Sequence, residues 1–158
     1  MQVIQPPIQV GINKAYPLVF LAGPIQGASN WQSQVIKIFS DYNDVISVTI
    51  ANPRRDKLDK TEFNYDAQVN WESKYLDKAD IIMFWLPKPA EIIEGRSYAQ
   101  TSRFELGEWF GKNPDRLVVG IEEGFDGERY IRKKLNDINI TVYSSFKDTI
   151  KEVLRRIK

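Results

Sequence analysis

The chain has 158 residues, 42% of them hydrophobic, which is enough for one domain with a buried core. Its 22 basic and 21 acidic residues leave a formal charge of +1, which argues against a nucleic-acid polymer as partner, because proteins that bind one usually carry a basic patch. The sequence contains no cysteine and no histidine, so disulfides and thiolate catalysis are excluded, and any acid, base or nucleophile must be a carboxylate, Lys, Tyr, Ser or Thr.

The first 16 residues have no basic region followed by an apolar stretch, so they do not resemble a secretory signal. We expect residues 1–16 to form an irregular arm and residues 17–158 to form a single domain. The longest strongly apolar run, Ile81 to Leu86, is far shorter than the ~20 residues of a membrane helix. These features predict a soluble, cytoplasmic protein without membrane contact.

Short apolar runs alternate with longer amphipathic runs, a pattern typical of βα units and a parallel sheet. The predicted strands, in chain order, are residues 18–22, 45–51, 79–86, 117–121 and 140–143. Helices are predicted at residues 31–39, 66–78, 102–112, 129–136 and 146–158. We therefore expect an α/β fold, a three-layer sandwich with a five-stranded parallel sheet of the flavodoxin-like or Rossmann-like kind.

Four of the five predicted strands are followed by irregular loops, which begin at Gly23, Asn52, Pro87 and Glu122. The carboxyl ends of parallel strands share one edge of a sheet, and ligands bind at that edge in this architecture. The glycines match neither the G-x-G-x-x-G pattern nor the G-x-x-x-x-G-K-[ST] pattern, so a dinucleotide site or a P-loop is only weakly supported.

Two glutamates are the main candidates for chemistry, although each also has a structural explanation. Glu105 and Ser102 have the S-x-x-E spacing of a capping box, and this spacing alone favours a capping role. Gly107 argues the other way, because a glycine weakens a helix and indicates close backbone packing. Glu72 shares a helix face with Gln68, but the pattern alone favours an ordinary surface glutamate.

Arg54 and Arg55 lie next to each other in the loop after the second predicted strand. Two guanidinium groups could bind an anion, but we favour arginines that are solvated or form ion pairs with Asp56 and Asp59 in the same loop. The four tryptophans are expected mainly in the core or at an interface. They are Trp31, Trp71, Trp85 and Trp109.

Four segments, in the right order, resemble nucleoside 2-deoxyribosyltransferases over roughly residues 17 to 123. They are FLAGPI from Phe20, NPRR from Asn52, the pair Trp71-Glu72 ahead of ADIIMFWLP, and RFELGEW from Arg103. Enzymes of this family move a 2-deoxyribosyl group between nucleobases through a covalent glycosyl-enzyme. The resemblance implies deoxyribonucleosides and free nucleobases as substrates, a role in nucleotide salvage and a homo-oligomer. It implies no metal and no organic cofactor.

The resemblance also implies roles for individual residues. Glu105 occupies the position of the nucleophile, and Glu72 occupies that of the acid/base, where the better-known members have Asp. We expect a helix N-terminus to keep Glu105 ionised, and burial to raise the pKa of Glu72. Contacts with the substrate are expected from Gly23, Pro24, Gln26, Asn52 and Gln68.

The chain departs from the family pattern at two places. Val19 and Phe20 occupy the part of the first strand where some members have an aromatic hydroxyl. Ala99 occupies the position of a second family acid, for which Glu91 and Glu94 are both candidate replacements.

Two alternative functions stay open. One is a deoxynucleoside 5′-monophosphate N-glycosidase of the same fold, in which Arg54 and Arg55 would hold the phosphate. The other is a non-catalytic nucleotide-sensing module.

Overall fold

A computed structural model describes residues 1–42, 44–55 and 62–158 of the chain. In these residues the strands are β1 (Gln2–Ile4), β2 (Leu18–Ala22), β3 (Thr49–Ala51), β4 (Ile81–Leu86), β5 (Leu117–Ile121) and β6 (Val142–Tyr143). The α-helices are α1 (Trp31–Asp41), α2 (Tyr65–Lys78), α3 (Gln100–Lys112), α4 (Glu128–Asn136) and α5 (Phe146–Arg156). Within the described ranges, no helix is long and apolar enough to cross a membrane.

All the strands pair in parallel, in the order β1-β3-β2-β4-β5-β6. Without β1, this is the strand order of a flavodoxin-like sheet. The chain runs from β2 outward to β3 and then crosses back to β4 on the other side of β2. The predicted α/β fold with a parallel sheet is confirmed. Its topological switch point, where such sheets bind ligands, lies between β2 and β4.

The number of strands was predicted wrongly, because the described residues contain six strands and not five. The additional strand, β1, comes from the segment 1–16, which was expected to be irregular throughout. Val3 lies opposite Ile50 of β3, and the side chain of Ile4 is buried in the core. A strand of three residues next to two prolines is too short to show a periodic pattern. Its backbone partners all lie more than 40 positions away in the sequence, so no local signal indicates the pairing.

The second predicted strand, residues 45–51, is reduced to β3. The backbone N–H groups of Val45 and Ile46 both donate to the carbonyl of Tyr42, which makes a turn of the residues that were expected to be extended. Val45 is 78% exposed, so its side chain packs little against the described strands and helices. The alternation of apolar residues that predicted the strand therefore includes residues 45–48, which do not belong to β3.

The buried side chains form two clusters, one for each set of alternating strand residues. Phe20 and Phe84 belong to the cluster that includes residues of α2, α3 and α4. Val19 and Met83 belong to the cluster that includes residues of α1 and α5. Strands buried on both faces explain the nearly continuous apolar runs in the sequence. All four tryptophans are buried in these clusters, whereas the three-layer sandwich stays a prediction.

Candidate active site

A cleft of about 620 Å³ opens at the carboxyl ends of β2 and β4. Its walls are residues 23–27 after β2, residues 53–55 after β3, one face of α2, part of the segment between β4 and α3, and the start of α3. Three of the four loops predicted to converge thus do so. In the part of the chain that the structure describes, the fourth loop, residues 122–124 after β5, does not line this cleft.

Glu105 lines the cleft from α3 and is not part of a capping box. The helix begins at Gln100, two residues earlier than predicted, after Ala99 in a left-handed conformation with φ of 58°. Ser102 therefore lies inside the helix, and the N-cap position has no side-chain hydrogen bond. This removes the structural explanation for Glu105 that its spacing from Ser102 had favoured.

The surroundings of Glu105 favour its protonated form. Burial, together with the negative charges of Glu72 and Glu108, raises the pKa of Glu105 to about 8. The expectation that the helix N-terminus would keep it ionised in the free protein is wrong. Glu105 lies in the second turn of α3, whereas the effect of the helix dipole fades within the first turn, so desolvation dominates.

Glu72 faces the same cleft from α2 and is held by a neighbour on its own helix. Its Oε1 accepts a hydrogen bond of 2.8 Å from Nε2 of Gln68, which also donates to the carbonyl of Pro53 at 3.0 Å. Burial raises the pKa of Glu72, as expected, and the hydrogen bond from Gln68 opposes this only in part. The four-residue spacing places Gln68 and Glu72 on one face of the helix.

The two glutamates form an electrostatically coupled pair. Each side chain comes from a different helix, and the charge of Glu72 contributes to the raised pKa of Glu105. Coupled acids release their protons as a pair, so an intermediate pH range exists in which the two groups hold one proton. In that range the cleft offers one carboxylate and one carboxylic acid, the combination that nucleophilic attack with proton donation requires.

Among the described residues, no group of three or more acidic side chains is arranged to hold a metal ion.

The raised pKa of Glu105 predicts a specific effect of pH on stability. Below its ordinary pKa of 4.5 the side chain is protonated in both the folded and the unfolded chain. Between 4.5 and about 8 only the unfolded chain releases the proton, so the free energy of unfolding falls as the pH rises. Glu105→Gln removes this loss, and we expect the variant to be more stable than the wild type by ~4–5 kcal/mol at pH 8.5 but nearly equal at pH 4.5.

Denaturant unfolding at the two pH values measures this difference. Glu108→Gln, three residues further along the same helix, is the control, because its carboxylate is partly exposed and paired with Lys112. Its charge is the smallest of the three causes that raise the pKa of Glu105, so we expect only a small difference in its effect on stability between the two pH values. A stability gain for Glu105→Gln that is the same at both pH values would contradict the raised pKa.

Gly23, Pro24 and Gln26, the predicted substrate contacts of the first loop, all line the cleft. Gly23 has a φ of +148°, and a Cβ atom there would lie 2.3 Å from the carbonyl oxygen of Trp85 and 2.8 Å from Cζ2 of Trp31. The glycine is therefore required by the strand beside it, whatever the ligand. The carbonyl of Pro24 accepts a 3.0 Å hydrogen bond from Nε1 of Trp31, which fixes the loop over α1.

Gly23→Ala is expected to destabilise the protein by ~2 kcal/mol or more, because the backbone of β4 would have to move. Gly107→Ala is the control for this prediction. Apart from its own helix, a Cβ at Gly107 meets no atom of the described residues within 4 Å, so the close packing inferred there from the sequence is not found among them. Alanine at Gly107 should stabilise the helix by ~0.5–1 kcal/mol. Thermal unfolding measures the stability of both variants. Equal changes in stability would contradict the prediction.

Asn52, a predicted substrate contact, lies beneath the cleft and not in its wall. Its side chain is 2% exposed, and its Oδ1 accepts a 3.0 Å hydrogen bond from the backbone N–H of Arg54. Within the described part of the chain, Asn52 is not among the lining residues. Its visible role is to shape the loop that follows β3.

Arg54 lines the cleft and joins two of its loops. Its Nε donates to Oε1 of Gln32, and its Nη2 donates to the carbonyls of Ile25 and Ser29 at 3.1 and 3.2 Å. Burial lowers the pKa of the guanidinium. Since these donors already bind neutral acceptors, Arg54 stabilises the loops in this structure. Asp56 and Asp59, the predicted ion-pair partners, lie outside the described residues.

Several cleft residues were missed from the sequence because they lie in irregular segments without periodicity or, like Tyr65, at the first position of a helix. Tyr98 donates its hydroxyl hydrogen to the carbonyl of Pro87 at 2.8 Å, and burial, with the nearby charge of Glu122, raises the pKa of Tyr98 to about 12. Phe63 and Tyr65 are further aromatic members of the wall. Of the two candidates for a second acid, Glu91 lines the cleft, whereas Glu94 is not among the lining residues in the described ranges.

Comparison with known proteins identifies a family. A model of the family described as nucleoside 2-deoxyribosyltransferase like matches residues 16–125. The matched region runs from β2 through β5 and includes both glutamates of the cleft. No curated protein matches the chain.

Proposed function

Because the chain belongs to the nucleoside 2-deoxyribosyltransferase-like family, we propose that it transfers a 2-deoxyribosyl group between nucleobases by double displacement. The observation that carries the proposal is the pair of partly buried, coupled carboxyl groups of Glu105 and Glu72 at the switch point of the sheet. Such a pair supplies both a nucleophile and a proton donor, in a chain that has neither histidine nor cysteine.

In the first step, a carboxylate oxygen of Glu105 attacks the anomeric carbon of the donor nucleoside. The C–O bond to the enzyme forms while the glycosidic C–N bond breaks, and the electron pair of that bond leaves with the base. Glu72 gives its proton to the departing base, which leaves neutral. The positive charge that develops on the sugar ring favours the ionised form of Glu105.

In the second step, a nitrogen of the incoming base attacks the same carbon from the side that the first base left. The new C–N bond forms, the ester bond breaks, and the electron pair returns to Glu105 as a carboxylate. Glu72, now ionised, accepts the proton of the attacking nitrogen. Two inversions give a product with the configuration of the donor, as in retaining glycoside chemistry.

The raised pKa of Glu105 is compatible with this role. With a pKa of about 8, roughly a tenth of Glu105 is ionised at pH 7, so ionisation of the nucleophile alone costs ~1.4 kcal/mol of the barrier. The proton that the pair keeps must then lie on Glu72. That cost is small beside the gain from a covalent route. The same burial that raises the pKa also removes the hydration that weakens a carboxylate nucleophile.

The remaining lining residues support binding of a nucleoside. We propose that Gly23, Pro24 and Gln26 lie against the substrate, since they line the cleft next to the switch point. Gln68 acts on the substrate through Glu72, because its Nε2 already donates to Glu72 and Pro53. Asn52 keeps only its structural role in the proposal, since its Oδ1 already accepts from the backbone of Arg54.

Incubation of the protein with deoxyinosine and free adenine tests the proposal. Formation of deoxyadenosine and hypoxanthine, measured by chromatography, is the expected result. With donor alone, mass spectrometry of the denatured protein should find a deoxyribosyl adduct on the peptide that contains Glu105. Absence of exchange, adduct and hydrolysis across several purine and pyrimidine donors would overturn the proposed enzyme and leave the nucleotide-sensing module.

The same incubation with a different donor distinguishes the proposed transferase from the N-glycosidase alternative. A deoxynucleoside 5′-monophosphate would then release free base and deoxyribose 5-phosphate, and added adenine would not change the products. The contacts of Arg54 disfavour this alternative, because three of its hydrogen bonds go to neutral groups of the protein. Free base from the monophosphate at a higher rate than exchange from the nucleoside would establish the glycosidase.

A further inference from the structure

Residues 2–10 lie outside the part of the chain that the family model matches, yet they contact the helix that carries Glu72. Nε1 of Trp71 donates a 2.8 Å hydrogen bond to the carbonyl of Ile8. The hydroxyl of Tyr75 lies 3.3 Å from both the backbone nitrogen and the carbonyl oxygen of Val10. Nζ of Lys74 donates to Oε1 of Gln9 at 2.6 Å. We call residues 2–10 the N-terminal strap.

These contacts determine how α2 is rotated about its axis. Trp71 and Tyr75 are at most 1% exposed and are packed against each other, with ring centroids 4.5 Å apart. Trp71 also contacts Phe20 of β2, with ring centroids 6.2 Å apart. Since one residue corresponds to about 100° of rotation, fixing Trp71 and Tyr75 towards the strap and the sheet turns Glu72 towards the cleft.

The strap also reaches Glu72 by a second route. Nε2 of Gln5 donates a 2.9 Å hydrogen bond to the carbonyl of Arg54. The preceding carbonyl, that of Pro53, accepts from Gln68, and Gln68 donates to Glu72. Strand β1 anchors this route, because it pairs with β3, and the carbonyl of Ile4 accepts from the N–H of Asn52 at the start of the same loop.

We propose that the N-terminal strap is a positioning element of the active site, which holds Glu72 at the cleft through Trp71 on one side and through Gln5 on the other. The part of this inference that concerns catalysis rests on the proposed function. The positioning itself is a property of the protein without substrate. Trp71 and Gln5 are positioning residues, since they act through Glu72 and not on the substrate.

Charged groups near Glu72, together with its burial, determine how the pKa of Glu72 would respond to a displacement of α2. Glu105 faces Glu72 from α3, and Arg54 and Arg55 line the same cleft from the loop after β3. Burial is the larger influence on Glu72 and raises its pKa, while Gln68 lowers it. A helix released from the strap would admit water to Glu72, so the pKa of Glu72 should move towards the ordinary value.

Trp71→Phe and Gln5→Ala test the inference, each removing one hydrogen bond of the strap. Titration of the Glu72 carboxyl carbon by NMR, in protein without substrate, should show a pKa lower by about 0.5 units or more in each variant. Ser145→Ala is the control, because it removes the N-cap hydrogen bond of α5 and weakens the fold away from the cleft. An unchanged pKa of Glu72 in both strap variants, or an equal change in Ser145→Ala, would overturn the inference.

Kinetics then tests the link to catalysis. With purine deoxynucleosides as donors, both strap variants should lose ~10-fold in kcat, because the departing base needs a well-placed proton. A nitrophenyl 2-deoxyriboside, whose leaving group departs without a proton, should lose less than ~2-fold. Equal losses with both donors would show that the strap only stabilises the fold and would overturn its positioning role. An inactive wild type would overturn the proposed function instead, and the titration would still decide the inference.

Discussion

Glu105→Gln is expected to lower the rate of base exchange by on the order of 10⁴-fold and to abolish the deoxyribosyl adduct. An amide has nearly the shape of the carboxyl group, but it is not a competent nucleophile at the anomeric carbon. The position of Glu105 in the cleft does not depend on capping, since α3 begins at Gln100 without a side-chain cap. Steady-state exchange and mass spectrometry of the denatured protein measure the two effects.

Glu108→Gln is the matched control for this prediction. It changes the same chemical group on the same helix, and the charge of Glu108 contributes to the raised pKa of Glu105. Its removal should therefore leave exchange at pH 7 unchanged or slightly faster. Exchange by Glu105→Gln within tenfold of the wild-type rate would show that another group is the nucleophile.

Glu72→Gln is expected to slow exchange with natural bases by ~10²–10³-fold, because a glutamine donates no proton to the leaving base and accepts none from the incoming base. The hydrogen bond from Gln68 Nε2 is kept, since the amide oxygen of glutamine accepts it equally well. Asp77→Asn, an exposed acid on the same helix, is the control and should exchange at the wild-type rate.

The pH dependence of this variant separates a proton donor from a binding residue. In the wild type the active form of the pair holds one proton, so kcat/KM should follow a bell with its alkaline limb near pH 8. Its acidic limb should lie above the ordinary range of a glutamate, because burial raises the pKa of Glu72. In Glu72→Gln only Glu105 titrates, and the loss of a neighbouring negative charge lowers its pKa. The profile should then rise once, with a midpoint below pH 8, to a plateau, and an unchanged bell would contradict the assignment of Glu72.

Much of the fold was predictable because local patterns encode it. The apolar run of β4 and the helical spacing of α2 are properties of neighbouring residues, and both were predicted within two positions of their observed bounds. The parallel sheet followed from the alternation of strands and helices. Strand β1 had no such pattern, because three residues have no periodicity of their own and pair only with β3, which is distant in the sequence.

The cleft was predictable in outline and not in detail. Gly23, Gln26, Glu72 and Glu105 come to one edge because parallel strands all end there. Asn52 was placed in the cleft by the same reasoning and lies beneath it, since the direction of a side chain depends on contacts that a loop sequence does not encode.

The sequence by itself determined the chemical inventory: a chain without histidine or cysteine, in which a family resemblance singles out Glu72 and Glu105. The tertiary structure alone decided their protonation, because a pKa depends on burial and on charges that other elements bring near. Glu105 was expected to be ionised by its helix, but packing and the charge of Glu72 on another helix raise its pKa to about 8. The strap that holds α2 was likewise beyond the sequence, since Trp71 and Ile8 lie 63 residues apart in the chain.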